Sequence, residues 1–175
     1  IPRLDRLTTQ LTDLQNASMD DLPIIGAKAA QLAELFKVDQ SNSACTEDAA
    51  FSVPEHAFAI PMAHYLAHMQ NSGAQDYVES LLADDMFFTD LEYRKIALQS
   101  LRQMILQHPV DSMLLGEVTQ RVSERFGNKS VRFRSSSNTE DLEQFNGAGL
   151  YESISAELDD KDKPVDRAIR TVWAS

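Results

Sequence analysis

The stretch VRFRSSSNTEDLEQFNGAGLYES, residues 131–153, opens as a β-strand. It then passes through three serines, an asparagine, a threonine and two acids, and closes with Gly147-Ala148-Gly149 and a second strand-like run. In an extended chain alternate side chains share a face, so Val131 and Phe133 point one way and Arg132 and Arg134 the other. Two guanidiniums this close repel unless something anionic sits between or beyond them. For Arg132 a solvated face paired with surface carboxylates suffices. Arg134 instead leads straight into Ser135-Ser136-Ser137, and hydroxyls and backbone amides beside an arginine are what phosphate oxygens require. Ser137 and Glu140 also have capping-box spacing, so Ser137 either caps a short turn or joins an anion site, and both can hold because a helix N-terminus collects anions. Gly147 and Gly149 permit close backbone approach to a ligand, or a tight turn.

Outward from this stretch, strands are expected at Ser130–Arg134 and Leu150–Glu157, and Pro164 begins a last helix with Val165, Ile169, Val172 and Trp173 as its apolar stripe. Upstream, Asp111 opens a helix with Leu114, Val118, Val122 and Phe126 along one side, closed by Gly127. Thr89 and Glu92 have capping-box spacing and start a long helix to Gln107, stopped before Pro109. Gln75–Ala83 reads as a helix, and Pro61 starts another to about Asn71. Ala57–Ile60 reads as a short buried strand between prolines, and Asp39–Phe51 as a polar, irregular loop. Gly26–Phe36 is a helix with Ala29, Leu32, Ala33 and Phe36 on one face. Asn16–Pro23 is a break, and the spacing of Leu4, Leu7, Leu11 and Leu14 predicts an amphipathic helix over 3–16. The sum is a helix-rich α+β chain with a small, mostly antiparallel sheet.

Composition bounds the function. The chain has 175 residues, 43% of them hydrophobic, with 27 acids against 16 bases and a net charge of −11. That balance argues against general nucleic-acid binding, and an anion must be met by a local basic cluster. No apolar run approaches the ~20 residues of a membrane helix, and no signal peptide is legible. A lone cysteine, Cys45, cannot form an internal disulfide, so a cytoplasmic setting is expected. The chain starts at Ile1 and closes at Ser175 inside a helical pattern, so a partial domain of a longer protein is expected, with 1–23 as a helical extension and 39–50 as a mobile loop.

Ile25-Gly26-Ala27-Lys28 is the second notable feature. With a helix beginning near Gly26, Lys28 falls in its first turn, where a cation opposes the macrodipole at roughly 0.3–1 kcal/mol. Either Lys28 points to solvent and the cost is tolerated, or it reaches an anion held at that helix end. His64 and His68, at i and i+4, lack a third ligand on adjacent turns and read as ordinary histidines, as do His56 and His108. Cys45 has no partner histidine nearby and no nucleophile role is assigned to it.

The segments GAKAAQLAEL (26–35), FSVPEHAFAIP (51–61), VRFRSSSNTEDL (131–142), GAGLYES (147–153) and AIRTVWAS (168–175) together resemble the N-terminal nucleotide-binding domain of the phosphoenolpyruvate synthase and pyruvate phosphate dikinase family, which also includes glucan water dikinases and antibiotic phosphotransferases. The arginine-serine-serine…glutamate-aspartate-leucine element is the most specific of these. The resemblance implies an ATP-grasp-like lobe that binds ATP with magnesium and works with a downstream domain whose histidine accepts a phosphoryl group. By position, Lys28 and Arg134 resemble the family's phosphate contacts, with Arg134 the catalytic one. Ser135 and Ser136 join the ATP site, and the loop through Gly147 and Gly149 resembles the flap over the phosphates. Glu140 and Asp141 orient the arginine or the loop and are not metal ligands; the magnesium ligands fall outside these residues. Two departures stand out: Gly26-Ala27 where the family often has two glycines, and Leu150, which cannot hydrogen-bond a phosphate, where it often has glutamine. The resemblance implies that these residues alone do not catalyse transfer. A non-catalytic module for nucleotide sensing or partner binding is the alternative, and a ligand-free scaffold lobe the third. The acceptor stays open between pyruvate, a glucan and a small drug.

Overall fold

The computed structural model describes residues 3–41, 53–138, 141–142, 145–146 and 151–175. The chain divides into two compact units, one drawn from residues 1–64 and 136–148, the other from 65–135 and 149–175.

In the first unit, strand β1 (Thr12–Asp13) pairs antiparallel with β2 (Phe58–Ala59), with Thr12 opposite Ala59 and Asp13 opposite Phe58. The helix expected over 3–16 is absent. The Asp5 carboxylate accepts from the backbone N–H groups of Leu7 (2.9 Å) and Thr8 (2.7 Å), bending the chain, and those bonds hold Asp5 below the usual carboxylate range. Leu7 is left 88% exposed, while Leu11 and Leu14 reach the core from extended and 3-10 backbone. The segment Asn16–Pro23, expected as a break, holds a 3-10 turn (Met19–Asp21) closed by a Ser18–Asp21 capping box. Helix α1 (Leu22–Ile25) follows, with Pro23 in its first turn.

Helix α2 (Ala27–Ser41) outlasts its expected end at Phe36, so the first three residues of the expected loop are helical; 42–52 lie outside the described residues. Its buried face is Ala29, Ala30, Ala33 and Phe36, packed with Leu14, Ala17, Ile25 and Val53, and Leu32 is partly buried against them. Alanine at four of these places lets neighbouring backbone approach closely. Strand β4 (Asp141–Leu142) pairs antiparallel with β5 (Phe145–Asn146) in the same unit.

In the second unit, α3 (Met62–Asn71, begun in the first unit), α4 (Ala74–Leu82) and α6 (Leu91–Gln107) gather around Met69, Ala74, Ile105 and Ala174. The helix expected to start at the Thr89 capping box starts one residue later. Thr89 ends a short helix, α5 (Asp85–Thr89), and the N-cap is Asp90, whose carboxylate accepts from the Glu92 and Tyr93 amides. A carboxylate one residue nearer the helix won over the hydroxyl. Helix α7 (Ser112–Phe126) is capped by Asp111, buries Leu114, Val118 and Val122, and ends at Gly127.

Strand β3 (Val131–Arg134) pairs antiparallel with β6 (Ser153–Ala156), shorter than the expected Leu150–Glu157. Val131 and Phe133 are half-buried and Arg132 and Arg134 exposed, the alternation expected of a half-covered strand. The last helix, α8 (Val165–Trp173), packs on β3, β6, α6 and α7 through Val165, Ala168 and Ile169. The helix-rich α+β class stands. No helix among the described residues is long and apolar enough to cross a membrane.

Candidate functional site

Gly26 ends α1 with φ 80° and ψ 169°, backbone that side-chain-bearing residues rarely adopt, and α2 starts at the next residue. The reversal leaves the first amides of α2 without partners inside the helix. They are met from far along the chain. The Ala27 N–H donates to the Ser137 carbonyl at 2.9 Å, and the Ala29 N–H to the Ser136 Oγ at 2.9 Å. A Cβ placed on Gly26 would fall 2.1 Å from the Ser136 carbonyl oxygen, so the main chain at 136 lies directly over the glycine. Asn138 Nδ2 donates to the Arg3 carbonyl at 3.0 Å, extending the seam. The GAK turn and the segment 136–138 are thus one piece of the first unit.

Lys28 is exposed, whereas Ile25, Gly26, Ala27, Ala29 and Ala30 around it in the chain are buried. Lys28 is therefore the exposed position of this turn. Two of the adjacent amides are already engaged.

Arg134 lies at the end of β3 in the second unit, opposite Ser153 and exposed. Arg132 donates to Ser155 Oγ, its cross-strand neighbour, at 3.2 Å. Ser135 is half-buried. Gly147, Gly149, Glu140 and Leu150 lie outside the described residues, and Asp141 starts β4. The turn that Ser137 and Glu140 were expected to open runs into residues outside the described ones. The cap seen on α2 is Ser136, 107 residues downstream of Ala29, which no local pattern encodes.

Two of the histidines are tied to main chain. His64 Nε2 meets the Thr9 carbonyl at 2.7 Å. His68, expected as an ordinary surface or half-buried group, is 4% exposed. Its Nε2 donates to the Ile105 carbonyl at 2.9 Å, and its ring lies 5.1 Å from His108 and 4.9 Å from Trp173. Burial pushes the His68 imidazole below its ordinary value, against the pull of the Ile105 bond. No cluster of three or more His, Cys, Asp or Glu side chains suited to a metal occurs among the described residues. The second unit also carries a groove of about 700 Å³ lined by Tyr65, Met69, Leu91, Leu98, Arg102 and Trp173; none of the expected site residues borders it.

Comparison with curated proteins and with solved structures finds no match. A family model described as "Pyruvate phosphate dikinase, AMP/ATP-binding domain" matches residues 22–175, from the first residue of α1 to the end of the sequence. The matched span takes in the GAK turn, the serine cluster that caps it and the arginine strand, and the chain accordingly belongs to the family of pyruvate phosphate dikinase AMP/ATP-binding domains.

Proposed function

We propose that the chain is the ATP-binding lobe of a dikinase-like phosphotransferase, which passes a phosphoryl group from ATP through a histidine on a separate domain to an acceptor such as pyruvate. The observation that carries this reading is the family match over residues 22–175. In this reading the lobe is ATP-grasp-like and works in the cytoplasm, with ATP and the phosphohistidine domain as partners and no nucleic acid or membrane among them. Lys28 and Arg134 supply positive charge to the triphosphate, Arg134 to the transferring group. Ser135 and the loop of Gly147 and Gly149 supply hydroxyl and amide donors. Phosphoryl transfer is mostly positioning plus charge stabilisation, so an acidic chain performs it by concentrating a few cations where the phosphates lie. Magnesium, when bound, would offset phosphate charge, and in this reading its ligands come from residues outside this sequence.

Leu150, which cannot hydrogen-bond a phosphate and stands where the family often has glutamine, favours a second reading, in which the lobe keeps the fold for nucleotide sensing or partner binding without catalysis. ATP-dependent phosphoryl transfer by the full-length protein decides between them. In the first reading Arg134→Ala lowers the rate by about 10²–10³, the cost of one preorganised donor. Arg132→Ala, whose guanidinium is bonded to Ser155, costs less than about tenfold. Equal losses in the two variants would break the assignment of roles, and full activity in Arg134→Ala would remove the site.

A further inference from the structure

We propose that Ser136 is a positioning residue for ATP binding, one that clamps the turn carrying Lys28 instead of touching phosphate. The inference rests on the ATP reading above and deepens it at one residue.

Three contacts make the clamp, all within the first unit. Ser136 Oγ accepts from Ala29 N–H, the Ser137 carbonyl accepts from Ala27 N–H, and the Ser136 main chain covers Gly26 so closely that only a hydrogen fits there. The two clamped amides flank Lys28 in the chain. Ala27, Ala29 and Ala30 are buried, so the backbone on both sides of Lys28 is fixed by packing as well as by hydrogen bonds. A lysine is a flexible point charge, and its hold on a phosphate depends on where its Cα is held. A first helical turn with uncapped amides frays, and fraying would spread the Lys28 amine over many positions.

The clamp also has a chemical consequence. The Ala27 and Ala29 amides, which a phosphate would otherwise use at a helix N-terminus, are spent on the protein's own oxygens. Lys28 therefore meets its anion by side-chain charge and not through these backbone donors.

The test is a double-mutant cycle in the full-length protein. ATP affinity is read by titration calorimetry, and exchange of the 26–36 amides by hydrogen–deuterium mass spectrometry. Ser136→Ala should raise the ATP Kd about five- to tenfold, the scale of a lost helix cap, and speed exchange in the first turn of α2. Ser136→Thr, which keeps the hydroxyl, should restore both. In a Lys28→Gln background, Ser136→Ala should change Kd by less than about twofold, because its effect passes through Lys28. Losses that multiply across the cycle would mean Ser136 contacts the nucleotide itself and would overturn the proposal. Tighter ATP binding in Ser136→Ala would overturn it from the other side, by showing that the clamp competes with phosphate. An unchanged Kd in Lys28→Gln alone removes the ATP role of Lys28, and the proposal with it. Should Ser136→Ala fold poorly, Ser136→Cys, with its weak acceptor, runs the same cycle.

Discussion

A methyl group added at position 26 has nowhere to go: the Ser136 carbonyl oxygen is 2.1 Å away and the backbone is already at φ 80°, ψ 169°. Gly26→Ala should cost about 3 kcal/mol, combining the penalty for that backbone region with a clash against main chain that cannot rotate aside. Gly116 is the internal control. It sits exposed within α7, with nothing within 4 Å of a built Cβ, and Gly116→Ala should stabilise by about 1 kcal/mol through helix propensity alone. Urea unfolding of the two variants measures both. A loss below about 1 kcal/mol at position 26 would show that the 136–138 segment yields. Sequence alone could flag Gly26 only as the start of a helix, because the atom that forbids a side chain there comes from residue 136.

At the scale of elements, α6 ends without a glycine, and its last carbonyls are met by side chains from elsewhere. His68 of α3 donates to Ile105, and Arg170 of α8, itself paired with Asp166, donates to Leu106. His68 is thus a buried joint faced by His108, Trp173, Arg170 and Asp166. Its folded pKa lies below the ordinary 6.5, so the unfolded chain takes up this proton first as pH falls. Stability should be fully present above about pH 6.5 and decline as pH falls from there through the lower folded value. His68→Gln, which keeps a donor for Ile105, should flatten the slope of unfolding free energy between about pH 7 and 5 relative to wild type. Parallel slopes would remove His68 as the source. Most of these elements were legible in the sequence: α2, α3, α4, α7, α8 and the arginine strand fall where apolar period, proline and glycine place them. The 3–16 helix failed because its leucine period competed with an Asp5 turn and with strand pairing to 58–59, and pairing partners 45 and 47 residues apart leave no local trace. Lys28 and Arg134 were legible as cations in unusual surroundings; the use of Ser136 was not, for the same reason of distance.

For the whole molecule, a net charge of −11 sets two trends of opposite sign. Screening relieves self-repulsion, so raising NaCl from about 20 to about 200 mM should lift Tm by about 2–4 °C, which corresponds to roughly 1 kcal/mol for a chain of this size. On the proposed reading, in which a few cations hold the phosphates by charge, the same salt should weaken ATP binding. Calorimetry of both quantities in one salt series checks this, and an ATP affinity indifferent to salt would count against Lys28 and Arg134 as the anchors.

The seam between Gly26 and Ser136 also sets an order of events during synthesis on the ribosome. The alanine face of α2 and its companions Leu14, Ala17, Ile25 and Val53 lie within the first 53 residues and can pack as soon as they leave the exit tunnel. The Ala29 amide cannot find its acceptor until 107 further residues have been made, about 5–20 s at ordinary elongation rates. Through that interval the α3–α7 stretch emerges and is free to fold, while the GAK turn stays frayed. The turn that carries Lys28 is therefore ordered later than the alanine core on which it sits.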